Sequence, residues 1–288
     1  MSENLSSLLV VGGGNMGSAL VAGVRQRSPM TRVLVLEPDA ARHPPPLARG
    51  AEVTADAARA CAWVVERDRE DLANGVAAMV VLAVKPQSLA PAAAGVRGLF
   101  ERAETPRVVV SILAGVSAAR VCAALGPGAR VVRAMPNLPA SIGQGITAIA
   151  EPRCADEREA HAALRRADAL LACVGQTIRL SEDLLDAFTA VAGSGPAYLF
   201  LLAEAMEHAA RRVGIEPFAA RAIVRATLRG SAALLGDGED APEALRRRVT
   251  SPGGTTEAAL GVLTAAGFEE SLARAVEAAR DRGRALNQ

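Results

Sequence analysis

Residues 10–20, "VVGGGNMGSAL", decide the fold. An apolar run breaks into glycines and resumes as a helical pattern, and Gly12, Gly14 and Gly17 fall at GxGxxG spacing. In a strand–turn–helix context the first glycine permits the tight turn. The second lets backbone approach a pyrophosphate, and the third lets helix and strand pack closely. The helix that follows supplies free N–H groups and a positive dipole end for the same anion.

The pattern continues outward from this loop. Runs rich in Val, Leu and Ile at 8–11, 32–36, 79–84, 107–112 and 130–134 predict buried strands, with helices between them at 15–27 and 117–125. Strand and helix in alternation predict a Rossmann-type doubly wound parallel sheet. Two further strands are expected at 145–150 and 176–180, the latter after a helix over 156–172. From Ser181 the strand signal stops and helices punctuated by Gly and Pro follow. Pro196, Pro217 and Pro242 stand at first-turn positions and Gly214, Gly236 and Gly267 at helix ends. The expected division is therefore a dinucleotide-binding domain, 1–180, and an all-helical domain, 181–288. The charged stretch 58–75 reads as a helix with a solvated face.

Half of the 288 residues are apolar, Trp63 and Tyr198 are single, and the net charge is +1. That balance offers no electrostatic case for nucleic acid or an anionic membrane surface. Cys61, Cys122, Cys154 and Cys173 lack CxxC or Cys/His ligand spacing, so free thiols are expected and no metal site. The first residues carry neither a basic n-region nor a long apolar run, which points to a cytoplasmic protein.

The candidate chemistry lies at strand ends. Glu37 closes the second strand, twenty residues after Gly17. An acid there accepts from a ribose 2′-OH and repels a 2′-phosphate, which taken alone favours NAD over NADP; Arg42 could offset it. His43, His161 and His208 sit in a Pro-rich loop or in charged helical runs, and offer no proton shuttle of the kind a ketone or alcohol dehydrogenase needs. A cyclic imine has a nitrogen basic enough to be protonated in water, so the sequence leans toward C=N reduction. Lys85, the only Lys, ends a strand in "VVLAVKPQ" as a donor to cofactor ribose or phosphate. Ala114 and Gly115 end another, where backbone can approach a flat ring, and Pro136 and Pro139 stiffen the loop presenting Asn137.

A second glycine loop occupies 250–260, "TSPGGTTEAAL". Pro252, Gly253 and Gly254 permit a tight turn, Thr255 and Thr256 cap the next helix, and the converging N–H groups form an anion nest. The chain around it is too short for a second dinucleotide fold, so a small anion such as a carboxylate fits. In isolation the same residues also read as an ordinary capped turn.

The blocks "VGGGNMG", "VLAVKP", "AGV", "RAMPNLPA", "GSGPAY" and "VTSPGGTTEAALGVL" together resemble the pyrroline-5-carboxylate reductase family over nearly the whole chain. The resemblance implies an α/β chain with an N-terminal Rossmann domain and an all-α C-terminal dimerisation domain of the 6-phosphogluconate dehydrogenase C-terminal-like kind. It implies reduction of 1-pyrroline-5-carboxylate to L-proline, the last step of proline biosynthesis, at a dimer interface, with dimers able to assemble into decamers. Cofactor contacts carry over to Gly12, Gly13, Gly14, Asn15, Met16 and Gly17, to Ala83, Lys85 and Pro86, and to Ala114 and Gly115. Substrate contacts carry over to Ser251, Gly253, Gly254, Thr255 and Thr256, with Asn137 nearby. Thr256 matches the hydroxyl beside the imine nitrogen, and Glu239 matches an acid that approaches the same atom. NADPH is the family's general donor, and Glu37 opens the way to NADH. Stretch 58–75 is longer than usual, and Leu113 and Leu138 stand where Ala and Thr are usual. A 3-hydroxyacid-type dehydrogenase would need a Lys in the helical domain, and none follows Lys85; a non-catalytic cofactor-binding protein is the other alternative.

Overall fold

In the computed structural model, residues 5–43, 45, 47, 49–71, 77–101, 106–152, 157–238 and 240–286 are described. The chain forms two compact units, Met1–Gly193 with Arg280–Gln288, and Ser194–Ala279.

The first unit opens with β1 (Ser7–Val11), α1 (Asn15–Arg27), β2 (Arg32–Leu36), β3 (Glu52–Thr54) and α2 (Ala57–Asp71). Then follow β4 (Met79–Leu82), α3 (Leu89–Val96), β5 (Arg107–Ser111), α4 (Ala118–Leu125), β6 (Ala129–Met135) and β7 (Gly145–Ala150). It continues through α5 (Glu157–Leu171), β8 (Gly175–Leu180), the short α6 (Leu185–Phe188) and a π-turn, Thr189–Gly193. The eight-stranded sheet has the order β3-β2-β1-β4-β5-β6-β7-β8.

Alternation along each strand builds two cores. Val35, Val10, Val81, Val110 and Val132 point to one face, against Leu20, Val21 and Val24 of α1 and Leu164, Ala167 and Leu170 of α5. Leu34, Leu9, Val80, Val109 and Val131 point to the other, against α2, α3 and α4. Both rows are in register across the sheet: Val10 faces Val35 and Val81, and Val81 faces Val110. Strands buried on both faces need no polar alternation, which is why they read as continuous Val and Leu runs.

The expected strands and helices are present, with two differences. β3, three residues containing Glu52 and Thr54, is an added edge strand beside β2. The sheet is parallel from β3 to β6, but β7 runs antiparallel to β6, and β8 is parallel to β7. The connection between β6 and β7 is a single 3-10 turn, Leu138–Ile142, too short for the helical crossover that parallel pairing needs.

The charged stretch forms α2, and the part beyond Asp71 expected to be helical, 72–75, lies outside the described residues. One of its acids turns inward. Asp68 accepts from Arg107 Nη1 at 3.0 Å and Nη2 at 2.6 Å, and from the Ala78 N–H at 2.9 Å. The pair fastens α2 to the starts of β4 and β5, with the Arg107 side chain 6% exposed.

The second unit contains α7 (Gly195–Arg212), α8 (Pro217–Asp237), α9 (Pro242–Arg248), α10 (Thr255–Ala265) and most of α11 (Phe268–Leu286). Pro196, Pro217 and Pro242 stand in first turns. Gly214 and Gly267 take positive φ, 94° and 69°, after α7 and before α11. Gly236 lies within the last turn of α8 rather than after it, and Gly238 takes the C-cap position. Among the described residues only Ala220 and Val224 of this unit are buried apolar side chains, whereas Phe218 is 87% and Val262 70% exposed.

Replacing Asp68 with Ala leaves a buried guanidinium without its carboxylate. We expect a loss of about 3 kcal/mol of stability, read from the shift in denaturant midpoint.

Candidate functional site

The sheet order reverses between β1 and β4, so the crevice at the carboxyl ends of these strands is where such a fold takes ligands. The glycine loop lies there. The Gly12 N–H donates to Leu36 O at 2.9 Å and the Ala83 N–H to Val11 O at 2.8 Å, stitching three strand ends together.

The three glycines of the motif serve different ends. Gly12 has φ of 110°, and a Cβ there would lie 2.7 Å from Ala83 O. A Cβ on Gly17 would lie 2.1 Å from Gly12 O. Both are demanded by packing. Gly14, the N-cap of α1, has φ of −66° and a Cβ would meet nothing within 4 Å. The fold tolerates a side chain there, so this glycine keeps the helix start open to an approaching group. Asn15 is exposed beside it and Met16 half-buried against the core.

Glu37 is buried, and its carboxylate is held by backbone. Oε2 accepts from the Gly13 N–H at 2.8 Å and Oε1 from the Asp39 N–H at 2.9 Å. His43 Nε2 is 2.6 Å from the Glu37 carbonyl oxygen. The Arg42 guanidinium lies 4.0 Å from Glu37 Oε2 and 3.3 Å from Asp39 Oδ2, so one cation is shared between two acids. A carboxylate oxygen has two acceptor sites, leaving capacity for ribose hydroxyls.

Lys85 is exposed at the end of the β4 segment, next to the half-buried Ala83 and Pro86, and its side chain makes no bond among the described residues. Beyond β5, Ala114 is exposed and Gly115 turns with φ of 72°. Asn137, by contrast, is 8% exposed and bonded into the framework. Its Oδ1 accepts from the Ile146 N–H at 3.0 Å and its Nδ2 donates to Ala192 O at 3.1 Å. It thereby ties the β6 loop to β7 and to the π-turn.

The second glycine loop belongs to the second unit. Gly253 takes φ of 72°, and the Gly254 N–H donates to Ser251 O at 3.0 Å. The N-cap of α10 is Gly254, so Thr255 and Thr256 are not caps but the first two helical residues, and no side chain caps this end. Glu257 Oε2 accepts from the Gly253 N–H at 2.7 Å, so one amide of the loop already meets a carboxylate of the chain itself. A shallow groove of about 580 Å³ between α9 and α10 is lined by Arg246, Arg247 and Thr250 and by Glu257, Leu260 and Thr264, along α10 rather than at its glycine turn. Glu239 lies outside the described residues.

No group of three or more His, Cys, Asp or Glu suited to a metal occurs among the described residues. Cys61 and Cys173 are free, and burial raises both thiols above the usual cysteine range. Cys154 lies outside the described residues. The pair of Glu182 and Arg133, beneath the Ala114 turn, carried no sequence signal, because its members are 49 residues apart.

Fold and glycine loop define a dinucleotide-binding oxidoreductase. Residues 7–115 match the family described as NADP oxidoreductase, coenzyme F420-dependent, and 182–286 match pyrroline-5-carboxylate reductase dimerisation. The pyrroline-5-carboxylate reductase of Pseudomonas aeruginosa is 38% identical over 279 residues, covering 96% of this chain and 95% of that protein. That of Mycobacterium tuberculosis is 35% identical, covering 99% and 98%. A solved pyrroline-5-carboxylate reductase from Coxiella burnetii superposes with a TM-score of 0.84 at 30% identity, covering 99% and 100%. This chain belongs to the pyrroline-5-carboxylate reductase family.

Gly14→Ala separates binding from folding. The melting temperature should stay within experimental scatter of the parent, while dinucleotide affinity, read by NADH fluorescence titration, should fall about tenfold or more. Gly12→Ala should lose both.

Proposed function

We propose that the protein reduces 1-pyrroline-5-carboxylate to L-proline with a reduced nicotinamide dinucleotide, completing proline biosynthesis. The observation that carries this reading is the pairing, in one chain of this family, of an open pyrophosphate loop with a second glycine loop whose Gly253 amide meets a carboxylate of the chain.

The residues fit the cofactor. Gly14 leaves room for the pyrophosphate at the start of α1, Lys85 offers an uncommitted ammonium, and Glu37 presents acceptors for the adenosine ribose. When bound, the reduced nicotinamide supplies the hydride. The chain's own part is to bind and orient. The N–H groups of Gly253, Thr255 and Thr256 hold the substrate carboxylate, which takes the place of Glu257 at Gly253. Thr256 donates to the ring nitrogen or orients a water there, and the family resemblance assigns Glu239 to the same atom. Ser251, Gly253, Gly254 and Thr255 shape the nest. The imine nitrogen is basic enough to take its proton from the Thr256 donor or from water, so orientation suffices without a strong general acid.

Between the two donors we propose NADH, a reading supported by the charges around the second strand end. Glu37 and Asp39 outnumber Arg42, and a buried carboxylate already bonded to Gly13 would meet a 2′-phosphate with like charge. The family's general use of NADPH is the alternative.

The chain works as an oligomer, through its dimerisation domain. The exposed Leu199, Phe200, Leu201, Phe218 and Val262 supply the apolar area such an interface buries. The run Glu182–Arg212 is long and apolar enough to cross a membrane by length and composition. Its place within the dimerisation match favours a partner subunit as the cover. A decamer is the larger assembly we propose, and the cytoplasm its compartment, since the cysteines lack the spacing of a disulfide framework.

Purified protein should oxidise NADH, and NADPH more slowly, only when pyrroline-5-carboxylate is added; no oxidation of either would contradict the assignment. Thr256→Ala should lower kcat by on the order of tenfold while the dinucleotide Kd is unchanged. Glu37→Ser should shift the NADH to NADPH ratio of kcat/KM toward NADPH by about tenfold. Sedimentation should give at least twice the chain mass of 29.6 kDa.

A further inference from the structure

The turn 112–117 carries Ala114 and Gly115 between two side chains sunk in the core, Leu113 and Val116, each 2% exposed, and its Ile112 N–H donates to Leu82 O at 3.1 Å. Its internal backbone bond, Val116 N–H to Leu113 O, is long at 3.4 Å, and Gly115 sits at positive φ. Its two ends are held from outside. At one end Ser111 is paired in register with Arg133 of β6. At the other, the first amide of α4, Ala118 N–H, donates to Glu182 Oε1 at 2.8 Å. The same oxygen accepts from Arg133 Nη1 at 3.2 Å. Both side chains are largely buried, Arg133 10% and Glu182 17% exposed. Ser117 Oγ accepts the Arg120 N–H at 3.2 Å, so Glu182 and Ser117 share the start of α4.

We infer that Glu182 is a positioning residue for the nicotinamide end of the site. Its carboxylate fixes the start of α4 and, through Arg133, the strand edge where the turn begins, and so sets where Ala114 and Gly115 meet the ring. A negative charge is also favourable at a helix start, and a buried guanidinium requires it. Glu182 is the first residue of the segment matching the dimerisation family, yet it packs in the first unit. This inference rests on the proposal that Ala114 and Gly115 back the nicotinamide.

The test is a comparison of Glu182→Ala and Glu182→Gln in the full-length oligomer, well below the melting temperature. Glu182→Ala should raise the NADH Kd and KM about fivefold or more and leave the KM for pyrroline-5-carboxylate within twofold. Glu182→Gln keeps a carbonyl acceptor for the Ala118 N–H and should recover most of the loss, even if both variants melt earlier. A purely structural pair would lower the melting temperature of both and leave the NADH Kd unmoved, and that result overturns the inference. So does a Glu182→Gln variant as impaired in NADH binding as a folded Glu182→Ala. If Glu182→Ala does not fold, Glu182→Gln and Arg133→Met carry the test: a rise in NADH Kd larger for Arg133→Met supports it, and parental Kd in both overturns it. Gly14→Ala tests the underlying reading separately: unchanged NADH affinity there would mean that the cofactor is held elsewhere, whatever Glu182 does.

Discussion

A helix begins with backbone N–H groups that no residue of the helix can accept from, and this protein is organised around what meets them. At α1 a glycine turn leaves the helix start open at Gly14, and the packing of Gly12 and Gly17 keeps it so. At α4 the chain supplies its own acceptors, Ser117 and Glu182. At α10 no side chain caps the helix, and Glu257 reaches back to Gly253 one turn away. The same unmet donors serve as a ligand site where the chain leaves them open and as a fastening where it does not.

Which of these starts stays open follows from the surroundings. The first unit has two full cores on either side of its sheet, so its strand ends are rigid and can hold an unfilled crevice at the β1 and β4 fork. Glu37 shows how tightly the rim is set: its carboxylate is fixed by the Gly13 and Asp39 amides before any ribose arrives. The second unit, with few buried apolar side chains among its described residues, depends on cover from outside. Membership of a dimerising family supplies that cover in the form of another copy of the chain.

Much of this was legible in the sequence where the cause is local. Val and Leu runs announce strands buried on both faces, and the spacing of Gly12, Gly14 and Gly17 announces their three tasks. What was not legible depends on distant partners. The strand at Glu52 is too short and polar to stand out, and its pairing with β2 alone makes it a strand. The reversal at β7 is not written in its residues, because a buried run has no direction. Asp68 looked like part of a solvated face and is instead bonded to Arg107, 39 residues away. Asn137, expected near the substrate, also has its amide bonded to Ile146 and Ala192, which its loop sequence does not announce. Thr255 and Thr256 are residue types that favour a cap, but Gly254 both closes the turn and takes the N-cap of α10.

One chain binds two different anions at two glycine turns if the proposed function holds. A crystal structure of the oligomer with NAD⁺ and L-proline tests this most directly. The expected complex has the pyrophosphate against Gly14 and the start of α1, and the proline carboxylate on the amides of Gly253, Thr255 and Thr256 with Glu257 displaced from Gly253. A proline carboxylate bound away from that loop, with Glu257 still on Gly253, would contradict it.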